Sequence, residues 1–309
     1  GGNNDWWQGY MADVHFVDGT QKAATDFGTT DEDSGIWKPK KYSGAYGTYG
    51  YFLEFKETGT SENSSGIGAD TSGNDEHFAV TNLIAADQCT DTPTNNFCTL
   101  NSIAVPDNLS DYTSRLAEGA CELSSSTVAD SFEYMGTMPT NMKYYFECKL
   151  STVYDGSNDQ RAGVVSVDKS SGATTGTGAG AQAYYGGGGY ISSVNRSGSA
   201  VATTLSGKTT WADNQIIGVA VDNTTNNDVK LYNNGVLQGT IAIVSTELYM
   251  PYFRCMGASG QTNEWQVNFG NPSYANSSDA ADEDGYGAFE YAPPSGHYAL
   301  CTKNLAEYG

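Results

Sequence analysis

Catalytic chemistry in this chain would have to come from three histidines, 36 carboxylates and six cysteines. General acid–base catalysis needs such a group held beside a partner that tunes its pKa. His15 falls on the polar side of an alternating stretch, His77 in an acidic loop, and His297 just after Pro294-Ser295-Gly296. Each reads as an ordinary surface histidine. No HExxH zinc motif, GxSxG nucleophile elbow or Walker loop occurs. "GTGAGA" at 176–181 approaches a dinucleotide fingerprint, but no helical pattern follows it to receive a pyrophosphate. Glycoside hydrolysis needs two carboxylates across a groove. The clusters Asp31-Glu32-Asp33 and Asp282-Glu283-Asp284 instead lie in Gly- and Ser-rich loops, where solvated charge is the default reading and calcium ligation the alternative. Asp70 and Asp75 of "GADTSGND" form a further candidate calcium pair, for a structural ion and not a catalytic cofactor. Catalytic residues are therefore assigned to none.

The cysteines are Cys89, Cys98, Cys121, Cys148, Cys255 and Cys301, and no spacing is CxxC, which argues against structural zinc. Cys148 sits on the apolar side of a strand pattern and is expected as a buried thiol. Cys89 and Cys98 flank a short polar loop and are the pair whose placement suits a disulfide.

Binding asks less than catalysis. Sugars are held by aromatic faces and planar polar groups on loops, and the region holding Tyr184, Tyr185, Tyr190, Asn195, Arg196 and Trp211 offers both. The alternative packs the same aromatics into a sandwich edge or a neighbouring subunit. A formal charge of −21 from 36 acidic and 15 basic residues repels phosphate backbones and anionic lipid, so neither nucleic-acid binding nor membrane binding is expected. No run reaches the roughly 20 apolar residues of a membrane span.

The elements that must position these groups read as strands. In "KLYNNGVLQGT" (230–240), apolar residues alternate up to Asn234-Gly235, the dipeptide that tolerates positive φ, and resume at Val236 and Leu237, predicting a β-hairpin. "MADVHFVD" (11–18) alternates, with Ala12, Val14 and Phe16 on one face and Asp13, His15 and Val17 on the other. "TYGYFLEFKE" (48–57) places Tyr49, Tyr51, Leu53 and Phe55 together. "KYYFECKL" sets Tyr144, Phe146, Cys148 and Leu150 against Lys143, Tyr145, Glu147 and Lys149, while "IIGVAVD" and "WQVNF" continue the period of two. The Gly-rich stretch 170–190 reads as a long surface loop or a weakly specified strand pair. "TDTPTNNFCTLN" (90–101) reads as an ordered crossing anchored by Phe97 and Leu100, and "DYTSRLAEGA" (111–120) is the best helix candidate, of one or two turns. Many strands, turn signals and little helix predict an all-β antiparallel sandwich with long loops.

The order "KYYFECKL", "IIGVAVD", the Asn-Gly hairpin, "PYFRCMG" and "WQVNFG" resembles the SPRY domain, a concanavalin A-like sandwich, over roughly 101–275. The flanking phrases "YMADVHFVDGT", "DFGTTDEDSGIWKPKKYSGAYGTYGYFLEF", "GADTSGNDEHFAVTNLIAADQ", "DTPTNNFCTLN" and "YAPPSGHYALCTKNL" are similar to tail-fibre and related virion proteins of bacterial viruses. The first phrase resembles the last strand of a LamG-like module, so that residues 1–100 would be an N-terminal β-rich region beginning at the end of such a module. Residues 276–309 would be a C-terminal extension packing back on the sandwich. The opening Gly1-Gly2, in place of Met, suits a processed product or a piece of something longer. The pattern departs from that family at Cys89, Cys98 and "SGNDEHF". The resemblance implies a non-enzymatic virion structural protein, a tail or head fibre segment engaged in host attachment. The alternatives are a capsid decoration or filament lattice subunit, or a polysaccharide depolymerase. It further implies a homo-oligomer, with the trimer as the usual fibre geometry, contacts with other virion proteins, a host cell-surface glycan as ligand, and a place on the outside of the virion.

Overall fold

The computed structural model describes residues 11–30, 37–84, 88, 91–92, 94–101, 116–125, 131–137, 141–153, 160–167, 181–194, 201–256 and 262–309. The chain divides into two compact units, residues 1–96 and 97–309.

The first unit has short ladders. Strand β1 (Val14–Phe16) pairs antiparallel with β4 (Tyr51–Leu53), and β2 (Gly28–Thr30) with β3 (Trp37–Pro39), after the single turn of α1 (Ala24–Phe27). Tyr42, Tyr46 and Phe52 form its core, with Val17 and Phe27 against them. The register pairs His15 with Phe52 and Phe16 with Tyr51, which inverts the expected faces. The His15 ring lies on Phe52 at 4.1 Å and 10°, turned toward the core rings, whereas Phe16 is 48% exposed. The second predicted strand is out of phase too: Tyr49 is 67% exposed, Phe52 and Leu53 are both buried, and pairing stops before Phe55, whose φ is 56°. Three-residue strands carry too few alternations to fix a face, so ring stacking decides it.

The second unit is an antiparallel β-sandwich. In chain order its strands are β5 (Leu116–Ala117), β6 (Glu122–Ser124), β7 (Ser131–Met135), β8 (Lys143–Thr152), β9 (Arg161–Ser166), β10 (Ala181–Tyr185) and β11 (Tyr190–Val194). There follow β12 (Val201–Leu205), β13 (Ile216–Asp222), β14 (Asp228–Asn233), β15 (Val236–Ala242), β16 (Tyr249–Met256), β17 (Glu264–Asn268) and β18 (Tyr298–Ala299). One sheet runs β12-β11-β10-β9-β16-β7; the other runs β15-β14-β13-β8-β17-β6-β5, with β18 added parallel to β8. The predicted hairpin is β14–β15, with Asn234 at φ 46° and Gly235 at φ 74°, both in the left-handed region such a turn requires.

Tyr144, Phe146, Cys148 and Leu150 of β8 point between the sheets, as their alternation predicts, among Val219, Phe253, Trp265, Val267 and Phe269. Phe146 meets Phe253 of the opposite sheet edge to face at 5.7 Å. The other face of β8 is not the polar surface its sequence suggests. Tyr145 and Glu147 are buried, because Phe97, Phe289, Ala299 and Cys301 pack over Tyr145 and Ala220 in a second core. A strand covered on both faces loses its simple alternation of exposure.

Where it is described, the Gly-rich stretch takes the second of its two expected forms, a strand pair and not a surface loop. Residues 181–194 form the β10–β11 hairpin around Gly186–Gly189, while 170–180 lie outside the described residues. The expected helix at 111–120 is not one at its described end: Leu116 and Ala117 are strand and Glu118–Ala120 a single 3-10 turn. The helix that forms is α2 (Thr302–Tyr308), a seven-residue segment with Asn304 buried beneath it. No helix among the described residues is long and apolar enough to cross a membrane.

Candidate functional site

The aromatics expected to bind sugar are placed by β10 and β11, and β10 is an interior strand flanked by β9 and β11. Successive residues of a strand face opposite ways, so Tyr184 and Tyr185 cannot share a surface. Tyr184 is fully buried, donates its hydroxyl to the Thr209 carbonyl and meets Trp211 edge to face at 5.4 Å. Trp211, 4% exposed, in turn meets Trp265 at 5.5 Å and covers Gly186, where a Cβ would stand 2.5 Å from the indole. Tyr185 is buried on the other face, stacked on half-buried Tyr190 at 4.4 Å and under the Arg161 guanidinium at 4.5 Å. Asn195 and Arg196 lie outside the described residues. The sugar-site reading is therefore corrected in favour of its packing alternative: Tyr184 and Trp211 are core rings with no open face for a sugar, on and beside a strand pair joined through glycines.

The calcium pair is corrected as well. Both oxygens of Asp70, 6% exposed, accept hydrogen bonds: Oδ1 from the N–H of Phe52 and Ser72, each 2.8 Å, and Oδ2 from the Ser72 hydroxyl at 2.8 Å and the Glu76 N–H at 3.1 Å. Calcium takes six to eight oxygens, whereas here donor hydrogens surround the carboxylate. Burial alone would raise the Asp70 pKa, but these donors outweigh it and hold the group below the ordinary carboxylate range. Asp75 is a 91% exposed side chain on a left-handed turn (φ 60°), 3.9 Å from His77 Nε2. No cluster of three or more acidic, His or Cys side chains suited to a metal occurs among the described residues.

The same device recurs in the sandwich. Asp222, buried, accepts from the N–H of Thr224 at 3.1 Å and of Thr225 at 2.8 Å and pairs with Lys143 Nζ at 3.1 Å. Burial opposes ionisation there, yet the N–H donors and the lysine depress its pKa strongly. Asp282 accepts from the N–H of Asp284, Tyr286 and Ala299 and from Asn304 Nδ2, all within 2.8–3.0 Å. The loop reading of 282–284 as solvated charge thus fails at Asp282, which organises the turn; Glu283 caps Ser295 and Gly296, and Asp284 accepts from Tyr308 at 2.8 Å. Asp31-Glu32-Asp33 lie outside the described residues. Glu147, fully buried, takes the N–H of Glu290 at 2.9 Å and of Tyr291 at 2.8 Å, with the Tyr145 hydroxyl at 3.0 Å. Its pKa is nonetheless raised, because burial outweighs those donors.

The histidines are not ordinary surface residues. His15 Nδ1 shares a 2.7 Å hydrogen bond with the Tyr46 hydroxyl, whose own pKa burial pushes up to about 12. His77 Nδ1 accepts the Asp70 N–H at 3.0 Å. His297 is 4% exposed, between Ser295 and the Asp222 and Lys230 region. Burial lowers the pKa of His15 and His297 and keeps them neutral. Cys148 is the buried thiol its strand position predicts, pushed up in pKa by burial; Cys89 lies outside the described residues, and with it the suggested pairing to buried Cys98.

Among the described residues, a row of open ring surface lies in the first unit. Phe16, 48% exposed, stacks on Tyr51 at 5.3 Å, and Tyr51 meets Phe78, 42% exposed, edge to face at 4.8 Å. This row lies on the outer side of the β1–β4 pair and was hidden in the sequence by assigning Phe16 inward. A separate shallow groove is lined by Lys41, Tyr42, Ser43, Tyr46, Ser72 and Asn74. The Asn74 amide is spent there on the Gly47 and Gly50 carbonyls, at 2.8 Å each.

No protein-family model matches the chain, and no curated protein sequence matches it. Among solved structures it is similar to the SPRY domain of human HERC1, at 13% identity and TM-score 0.38 over 49% of this chain and 90% of that one. It is also similar to a human SPRY domain, at 14% and 0.38 over 52% and 97%, and to stonustoxin, at 14% and 0.39 over 56% and 27%. The antiparallel sandwich itself rests on the strand order and the core between its two sheets.

Proposed function

We propose that the chain is a non-enzymatic virion structural protein, a tail or head fibre segment of a bacterial virus that displays surfaces for host attachment. The placement on a virion rests on the phrases at 10–20, 26–55, 68–88, 91–101 and 291–305 and their likeness to fibre proteins. The structural observation that supports an architectural role is the use of Asp70, Glu147 and Asp282, both oxygens of which accept backbone N–H groups, and of Asp222, whose Oδ1 accepts two while its Oδ2 faces Lys143. A carboxylate so occupied fixes a loop; it has no lone pair directed at a substrate proton. Attachment through a host cell-surface glycan is assigned to the Phe16–Tyr51–Phe78 row, since ring faces stack on sugars and many weak contacts multiply across copies.

Cryo-electron microscopy of the particle containing this chain tests the reading. A few copies projecting from a tail or vertex support it; a regular capsid array makes the chain a lattice subunit instead. Release of reducing ends from host polysaccharide by the purified chain would overturn the non-enzymatic part. For the glycan row, F16A with F78A should reduce cell adhesion without altering the far-UV circular dichroism, and unchanged adhesion rejects that assignment.

A further inference from the structure

Sheet edges offer unpaired backbone N–H and C=O groups to any extended chain, and proteins guard them with short strands and charges. The two ends of the eight-stranded sheet differ in this respect. At one end, β5 is two residues long and lies among Glu118, Glu122 and Glu264. Burial and the Glu264 charge raise the pKa of Glu122, so carboxylates crowd that end. At the other end, β15 is seven residues, Val-Leu-Gln-Gly-Thr-Ile-Ala, without a charge in a chain of net −21. Beside the free edge, Val236 is 63% and Leu237 50% exposed. The inner side of β15 is firmly seated: Gly239 lets Ile191 and Leu205 approach to within 2.9–3.0 Å of where its Cβ would be. Among the described residues the edge is thus seated on the sandwich and unpaired on its outer side, with a β-bulge opposite Leu231 and Tyr232 as its one irregularity.

We propose that β15 is a self-association strand: two copies pair β15 antiparallel to β15 about a two-fold axis, joining their eight-stranded sheets into one. The occupant is a second copy because an identical strand brings no carboxylate to the seam, whereas other surfaces of so acidic a chain repel each other. Identical antiparallel strands also satisfy one another's hydrogen bonds isologously. The inference stands independently of the proposed function, since it holds for a free chain as well as a virion component.

Sedimentation equilibrium of the full chain tests it, at several concentrations and two ionic strengths. The expected result is a reversible monomer–dimer equilibrium that shifts with concentration. It should tighten as salt screens the −21 charges. L237E with T240E places four carboxylates along the seam and should weaken the dimer at least about tenfold, through like-charge cost across paired strands. V244E adds charge outside the strand and should leave the dimer intact. Amide exchange at 236–242 should slow as concentration rises. A chain that stays monomeric at high salt overturns the proposal. So does a dimer indifferent to L237E/T240E when circular dichroism shows both variants folded, or unchanged exchange at 236–242.

Discussion

In residues 11–96 the ladders are three residues long and the core is a handful of rings; in residues 97–309, β8 alone runs ten residues and the core spans two sheets. Both units still tie loops down with a buried carboxylate. In the first unit, Asp70 gathers the N–H groups of β4, the 72 turn and residue 76, taking the place of missing strand partners. In the sandwich, Glu147 and Asp282 do a narrower task, fastening a late segment onto a sheet that is already complete. The lesson is that a carboxylate can substitute for a ladder, and that its share of the stability grows as backbone pairing shrinks.

The largest effect that could break this contrast is in the sandwich core. Trp265→Ala removes a fully buried ring and should cost about 3–5 kcal/mol. Urea denaturation checks it, and a loss under 1 kcal/mol would mean that the two-sheet core is not what carries that unit. Next come the carboxylates, with Asp70→Asn and Glu147→Gln each expected to cost about 1–3 kcal/mol, because buried N–H donors lose acceptors. Amide exchange should rise at Phe52, Ser72 and Glu76 in the first case and stay confined to Glu290 and Tyr291 in the second. Equal spread in both variants would remove the distinction between the units.

A smaller effect separates the carboxylates by sign. Asp70 and Asp222 have depressed pKa values, so the unfolded chain binds protons first as pH drops below about 4. Their stabilisation is present above that range and disappears as pH falls through the folded pKa. Glu147 is raised and works oppositely: its contribution is greatest in acid and declines as pH rises above about 4.3 through its folded value. Urea midpoints from pH 2 to 7 should therefore fall less steeply in acid for Asp222→Asn than for the parent chain. The smallest expected signal is at the histidines. His15 and His297 should titrate below about 6.5 by NMR, with stability easing as pH falls through that value because the unfolded chain takes the proton first. A normal midpoint at His15 would mean that its stack on Phe52 opens in solution.

The sandwich was legible where strands are long. The Asn-Gly hairpin, the inward side of β8, and β13 and β17 all follow from a period of two sustained over five to ten residues. It was illegible where neighbours distant in sequence decide. Nothing local to Tyr145 or Glu147 announces that Phe289 and the 290–291 backbone will cover them. Tyr184 and Trp211 looked displayed because glycines around 186–189 imitate a loop, though they permit close packing of the indole. His15 and Phe16 exchanged faces since a three-residue strand gives ring stacking the deciding vote. The carboxylate cradles were invisible for a related reason: an acid among Gly and Ser looks alike whether it faces water or a set of N–H groups.

The covering of β8 also has a timetable. Glu147 waits for the N–H of residue 290, 143 positions later, which at ribosomal speed is about 7 to 30 s of synthesis. In that interval the strip of tyrosine and carboxylate on β8 stands uncovered while its pairing partners β13 and β17 are themselves still being made. The raised pKa that Glu147 shows when buried belongs to the finished molecule; during synthesis the ionised, hydrated carboxylate is a solubilising charge on that strip. The residue that fastens the 290–291 backbone in the folded chain is thus, before that backbone exists, a charge on an uncovered strand.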